Sequence, residues 1–243
     1  MIQKVAGCLC SLVSLLLIAV WAHQMWQSHI EDTGIDIIAK GNALVRAGDP
    51  ASLAKAVETY KRAADVFHGI GSKESRNEGL AYYNLARAYH ALKQNEEALE
   101  SGSKSVSLLT AADAKEDLAN ALGNIGLYCV ATKQLDRGFD SYARAAVTYK
   151  ELNKPEMASN MIKVQGAIRY DQTIEAARAK DWPRARDLCI QSQDLYHQAG
   201  DKTDEADALQ ELSLIYTVMG ESEKSSEAAR KEQFLHIDAP AKQ

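Results

Sequence analysis

Six histidines and four cysteines are the residues of this chain best suited to metal or nucleophilic chemistry. Their spacing favours neither. His23, His29, His68, His90, His197 and His236 include no i, i+4 pair and no Glu at metal-site spacing, so no metal centre is expected. Cys8 and Cys10 fall in an apolar N-terminal run, Cys129 and Cys189 fall on apolar helix faces, and no Cys-x-x-Cys pair occurs; buried small hydrophobes are expected. The run Ser101 to Ser107 has only Lys104 at ordinary helical spacing, and Gly69-Ile70-Gly71 lacks the third glycine and preceding strand of a phosphate loop. The sequence thus recommends neither catalysis nor a cofactor, and a non-enzymatic role is expected. Recognition chemistry is better served. Asn84 and Asn124 lie 40 residues apart, each one position ahead of a large aliphatic residue, Leu85 and Ile125. A carboxamide offers both donor and acceptor, so repeated amides can grip a peptide main chain whatever its sequence.

Composition narrows the class of partner. The net charge is −5 from 28 basic and 33 acidic residues, with no basic stripe, which argues against a dedicated nucleic-acid binder. Four prolines in 243 residues suit long helices better than a turn-rich β chain. Four cysteines at this length are not a disulfide scaffold.

Val5 to Ala22 carries no charge and includes Leu15-Leu16-Leu17-Ile18. As a helix it would span roughly 27 Å, close to the hydrocarbon thickness of a bilayer. Lys4 precedes the run, whereas Glu31, Asp32 and Asp36 follow it before the first downstream lysine, Lys40. That asymmetry predicts an N-in, single-pass protein with its body outside the cytoplasm, as on a bacterial inner membrane facing the periplasm. Trp21 and Trp26 fit an interfacial belt and favour an uncleaved anchor. The alternative is a signal peptide cleaved near Ala22, where Val20-Trp21-Ala22 offers small residues, leaving an exported soluble protein.

The rest of the chain repeats. Ala56, Ala98, Gly138, Ala185 and Ser225 are separated by 42, 40, 47 and 40 residues, and eleven residues after each stands a large side chain: Phe67, Leu109, Tyr149, Tyr196 and His236. Eleven residues is three helical turns, so small and large share one face. Twelve residues before the last four anchors come Ala86, Gly126, Thr173 and Ser213. Turn signals at Lys93-Gln94-Asn95, Lys133-Gln134, Lys180-Asp181-Trp182-Pro183 and Gly220-Glu221 separate two helices in each unit. Asp181 ahead of Pro183 reads as a helix N-cap, and Asp113 to Glu116 has capping-box spacing.

This pattern resembles the tetratricopeptide repeat (TPR), in the long-period form of kinesin-light-chain-like and bacterial TPR scaffold proteins. The resemblance is carried by Leu80-Ala81-Tyr82-Tyr83-Asn84-Leu85-Ala86-Arg87-Ala88-Tyr89, by Leu195 to Asp201, and by Ala208 to Tyr216. It covers about residues 35 to 236. It departs at Gly48-Asp49-Pro50-Ala51-Ser52, where the first turn is lengthened, and at Pro155 to Lys180, which reads as one long helix. The fold implied is all-α: a right-handed superhelical solenoid of about five helix pairs at 35–236, preceded by a hydrophobic helix at 1–22 and a linker at 23–34, and followed by a tail at 237–243.

Stacked pairs line a concave face with their first helices. The partner-binding candidates there are Tyr83, Asn84, Arg87, His90, Asn120 and Asn124, with Leu127 beside them. In kinesin-light-chain-like repeats an Asn at the place of Asn84 and Asn124 holds the backbone of an extended peptide; Tyr170-Asp171 and Gln210-Glu211 do not continue that ladder. The function implied is a membrane-tethered scaffold gripping an extended protein or peptide segment. The alternative is an accessory subunit of a secretion, pilus or translocation assembly that binds through its convex face.

Overall fold

The computed structural model describes residues 2–71 and 75–237, with side chains at 17–26, 28–71 and 75–235. Among the described residues all regular structure is helical: α1 (Ile2–Ala47), α2 (Pro50–Ile70), α3 (Ser75–Ala91), α4 (Asn95–Ala111), α5 (Lys115–Ala131), α6 (Leu135–Glu151), α7 (Pro155–Arg178), α8 (Trp182–Ala199), α9 (Lys202–Val218) and α10 (Ser222–Ile237). They pack in consecutive pairs as TPR-like helical repeats. Two compact units result, Met1–Ala114 with α1 to α4 and Lys115–Gln243 with α5 to α10. Within each unit every helix packs against the helices before and after it.

Small residues set how closely the helices of a pair approach. Ala56, Ala98 and Ala185 on the second helices are fully buried, as is Gly138, while Ser225 is half-buried. A Cβ added to Gly138 would lie 3.2 Å from the Gly126 carbonyl oxygen, and the Ser213 and Ser225 hydroxyls are 3.0 Å apart. These are the helix crossings predicted from the twelve-residue spacing. Phe67, Leu109, Tyr149 and Tyr196 are buried as expected; the His236 side chain lies outside the described residues.

A second small position emerges seven residues before the first on each leading helix: Gly34, Gly79, Ala119, Gly166 and Ala206, ahead of Gly41, Ala86, Gly126, Thr173 and Ser213. Here the large side chains lie directly on helix backbone. A Cβ at Gly34 would fall 2.5 Å from the Phe67 ring, at Gly79 2.9 Å from Leu109, and at Gly166 2.9 Å from the Tyr196 ring. Gly41 lies under Tyr60 and Gly126 under Tyr142 in the same way. The departures of the first and fourth units are now explained. Phe67 follows Gly34 by 33 residues where Leu109 follows Gly79 by 30. The turn itself is not lengthened as expected: only Gly48 and Asp49 separate α1 from α2, and the extra residues are helical, chiefly the first turn of α2 from Pro50. α7 has 24 residues against 17 in α3, α5 and α9. Its extra seven residues precede Gly166 and amount to two whole turns, which keep the buried stripe on one face.

Turns close by one device. Lys93, Asp113, Lys133, Asn153 and Lys180 adopt positive φ, as do Gly200 and Gly220. The next N–H in each case reaches back to the carbonyl five residues earlier, as in Gln94 to Tyr89 at 3.0 Å and Gln134 to Cys129 at 2.7 Å. Such reach-back bonds satisfy the carbonyls that a helix end leaves free. Asp181 caps α8 through the Arg184 N–H, with Pro183 in the first turn. Asp113 does not serve as the cap that its spacing to Glu116 suggests: with φ of 51° it takes the left-handed position of the turn itself.

α1 runs without a break through residues 23–34, and Gly34 within it is buried. Among the described residues no helix is long and apolar enough to cross a membrane. Most of the expected anchor, the side chains of residues 5–16, lies outside the described residues, as do Cys8, Cys10 and the tail beyond Ile237.

Glycines therefore differ in what they tolerate. Gly126→Ala forces the Tyr142 ring, 2.6 Å from the new methyl group, to move, and should lower unfolding stability by about 1–3 kcal/mol. Gly69→Ala, in a helical stretch with open space around it, should raise stability by up to about 1 kcal/mol. Urea unfolding of the two variants checks the opposite signs.

Candidate functional site

Tyr83, Asn84, Arg87 and His90 lie on α3 in the first unit, and Asn120 and Asn124 on α5 in the second. Asn84 and Arg87 come together with Asn42, Val45 and Arg46 of α1 and Tyr60 of α2 around a cavity of about 260 Å³. α1 and α3 are the leading helices of adjacent pairs, so equivalent faces meet there. Sequence reasoning missed Asn42, Arg46 and Tyr60. The signal available for them was the Gly34/Gly41 spacing, which repeats Gly79/Ala86 and fixes the register of the first pair.

Hydrogen-bond directions define what the cavity offers. The Tyr60 hydroxyl donates to Asn42 Oδ1 at 2.7 Å, which leaves the Asn42 amide nitrogen as a donor. Asn84 Nδ2 donates to the Leu80 carbonyl at 3.0 Å, which leaves its oxygen as an acceptor. Burial pushes the Tyr60 phenol up to about 12, against the pull of the Arg87 and Arg46 guanidiniums, so Tyr60 remains a neutral donor at physiological pH. Arg87 stacks on the Tyr83 ring, 5.7 Å from its centroid, and among the described residues neither Arg46 nor Arg87 forms an ion pair with a carboxylate. Two guanidiniums and an amide N–H beside one amide oxygen suit a carboxylate next to a peptide N–H.

The remaining candidates have local roles. His90 Nδ1–H donates to Asn95 Oδ1 at 2.8 Å. Asn120 Oδ1 accepts from the buried Tyr149 hydroxyl at 2.6 Å, tying α5 to α6. Asn124 is half-buried, and its Nδ2 is shielded from solvent with no hydrogen-bond partner among the described residues. Asn84 and Asn124 are thus in unlike surroundings although their sequence places are equivalent. A smaller cavity of about 140 Å³ in the second unit is lined by Tyr170, Tyr196, Asp204 and Asp207 and has the opposite sign. Burial pushes the Tyr170 phenol up there, reinforced by Glu211 and Asp207, and Lys163 pairs with Asp204 at 3.1 Å.

Paired helices of this repeat geometry define the TPR-like class of helical-repeat proteins. Solved structures bear this out at the level of fold. The apo form of RapI matches over 90% of this chain and 90% of its own, with a TM-score of 0.54 and 11% identity. The nearly identical TPR-like repeats of a Podosopora anserina protein assigned as a kinesin light chain match over 84% of this chain and 96% of theirs, with a TM-score of 0.50 and 14% identity. No protein-family model and no curated protein matches the chain.

Asn120 is read as a structural partner of Tyr149. Asn120→Ala removes the acceptor of the Tyr149 hydroxyl and should cost about 1 kcal/mol in thermal or urea unfolding, and that cost should shrink when Tyr149→Phe is already present.

Proposed function

We propose that this chain is a membrane-tethered TPR-type scaffold that holds an extended, acidic segment of a protein partner on the leading-helix face of its repeats. One observation carries the reading: the cavity between α1 and α3, where Arg46 and Arg87 stand without acidic partners beside Asn42 and Asn84. A cationic cleft left uncompensated inside an acidic protein is suited to an anionic group brought by a partner. Because the repeat backbone is preformed, little conformational entropy is lost on the scaffold side when the segment docks. No reaction is needed in this role. Tyr83 and His90 flank the cleft on α3.

The tether rests on the uncharged run Val5 to Ala22 and on its continuation as exposed apolar helix: Leu17, Ile18, Val20, Trp21, Met25 and Trp26 are each more than half exposed. The repeat units would then face away from the cytoplasm, as the Lys4 to Asp36 charge asymmetry indicates.

An array of extended peptides of varied charge, probed with the purified full chain, tests the binding role. Bound peptides should be enriched in Asp and Glu, and Arg46→Gln with Arg87→Gln should weaken them at least about tenfold, the scale of one lost charge-assisted bond. Peptide binding without acidic preference, or unchanged in the double variant, would move the binding role away from this cavity.

A further inference from the structure

α1 is two kinds of helix in one. From Gly34 onward it is packed, with Gly34 and Gly41 under Phe67 and Tyr60 and with Asn42, Val45 and Arg46 lining the cavity. From Leu17 to His29 every described side chain is exposed. The apolar members of that stretch are not confined to one stripe. At 100° per residue, Leu17, Ile18, Val20, Trp21, Met25 and Trp26 spread over more than half of the helix circumference. A groove or a second helix would cover one side and leave the others in water. Apolar surface over that much of a helix calls for an apolar solvent, and a bilayer supplies it.

Nothing in the sequence loosens the junction between the two parts. No Gly or Pro occurs between residues 8 and 33, the residues at which helices kink or end, and the backbone is helical throughout Ile2–Ala47. We infer that α1 acts as a rigid post: lipid surrounds the arm as far as Trp26, and the same helix presents the α1/α3 cavity at a set height and facing. Asn42 lies sixteen residues beyond Trp26 and Arg46 twenty, which places the cavity about 24–30 Å along the helix from the interface. A post of fixed length matches a partner that carries its acidic segment at the same height, namely a neighbour bound to the same membrane. This inference rests on the tethered-scaffold reading above.

The test uses the full chain in phosphatidylcholine/phosphatidylglycerol vesicles. A donor dye is placed at Lys55→Cys on the exposed side of α2, with Cys8→Ala and Cys10→Ala; Cys129 and Cys189 are buried and stay unlabelled. Energy transfer to headgroup acceptors reports the height of the dye. A rigid post gives a narrow height distribution. Seven alanines inserted between His29 and Ile30 then raise it by about 10 Å with the facing nearly kept, whereas seven Gly/Ser residues broaden it. A broad distribution in the parent chain, or no rise with the alanine insertion, would overturn the post and leave the tether standing. Failure of the chain to float with vesicles would overturn the tether reading itself, and the post with it.

Discussion

Close contact between helix backbone and large side chain is the constraint on which the repeats depend. Each leading helix offers two small residues seven apart, and the following helix lays bulk on them: Phe67 on Gly34, Tyr60 on Gly41, Leu109 on Gly79, Tyr142 on Gly126 and Tyr196 on Gly166. Ring or branched carbon lying at 2.5–2.9 Å from where a Cβ would stand leaves no room for one. Where the large side chain is missing, as at Gly102, Cys189 and Ala229, the leading helix carries Ala86, Thr173 or Ser213 instead of glycine. Volume is thus traded across the pair, as dense packing demands.

Polar groups follow the same geometry. Ser105 Oγ donates to the Gly79 carbonyl at 2.8 Å and Ser192 Oγ to the Gly166 carbonyl at 2.9 Å, at one register position in two different pairs. His68 meets the buried Glu78 at 3.1 Å and His197 the buried Glu205 at 3.0 Å, again in matching places, and these contacts join one pair to the next. Buried oxygens close to such crossings find partners because the backbones are already within reach.

The repeat was legible because it is written in residue size, and size acts through helix period alone. The five anchors and their partners eleven residues on needed no knowledge of rotamers. Even the two irregular units obey the rule once the offsets are counted, three residues chiefly at the start of α2 and seven in α7. The candidate site was legible only in part. Arg87 and Asn84 do line a cavity, but the bond of Asn84 to the Leu80 carbonyl, the clasp of Asn120 on Tyr149 and the enclosure of the Asn124 amide depend on side-chain torsion and on what a neighbouring helix brings near. A carboxamide in a sequence does not say which of its two ends is already engaged. Asn42 and Arg46 were hidden for a simpler reason: the three-residue offset within the first helix pair displaces them from the register of the other units.

Packing that runs mainly from each helix to its neighbours in sequence also shapes how order is lost. α9 and α10 cross at half-buried Ser213 and Ser225, and α10 is largely polar. Cohesion in such an array is local, so melting need not be all-or-none. Within the second unit order should be lost first at α10, whose crossing with α9 rests on hydroxyl contacts rather than on a large side chain.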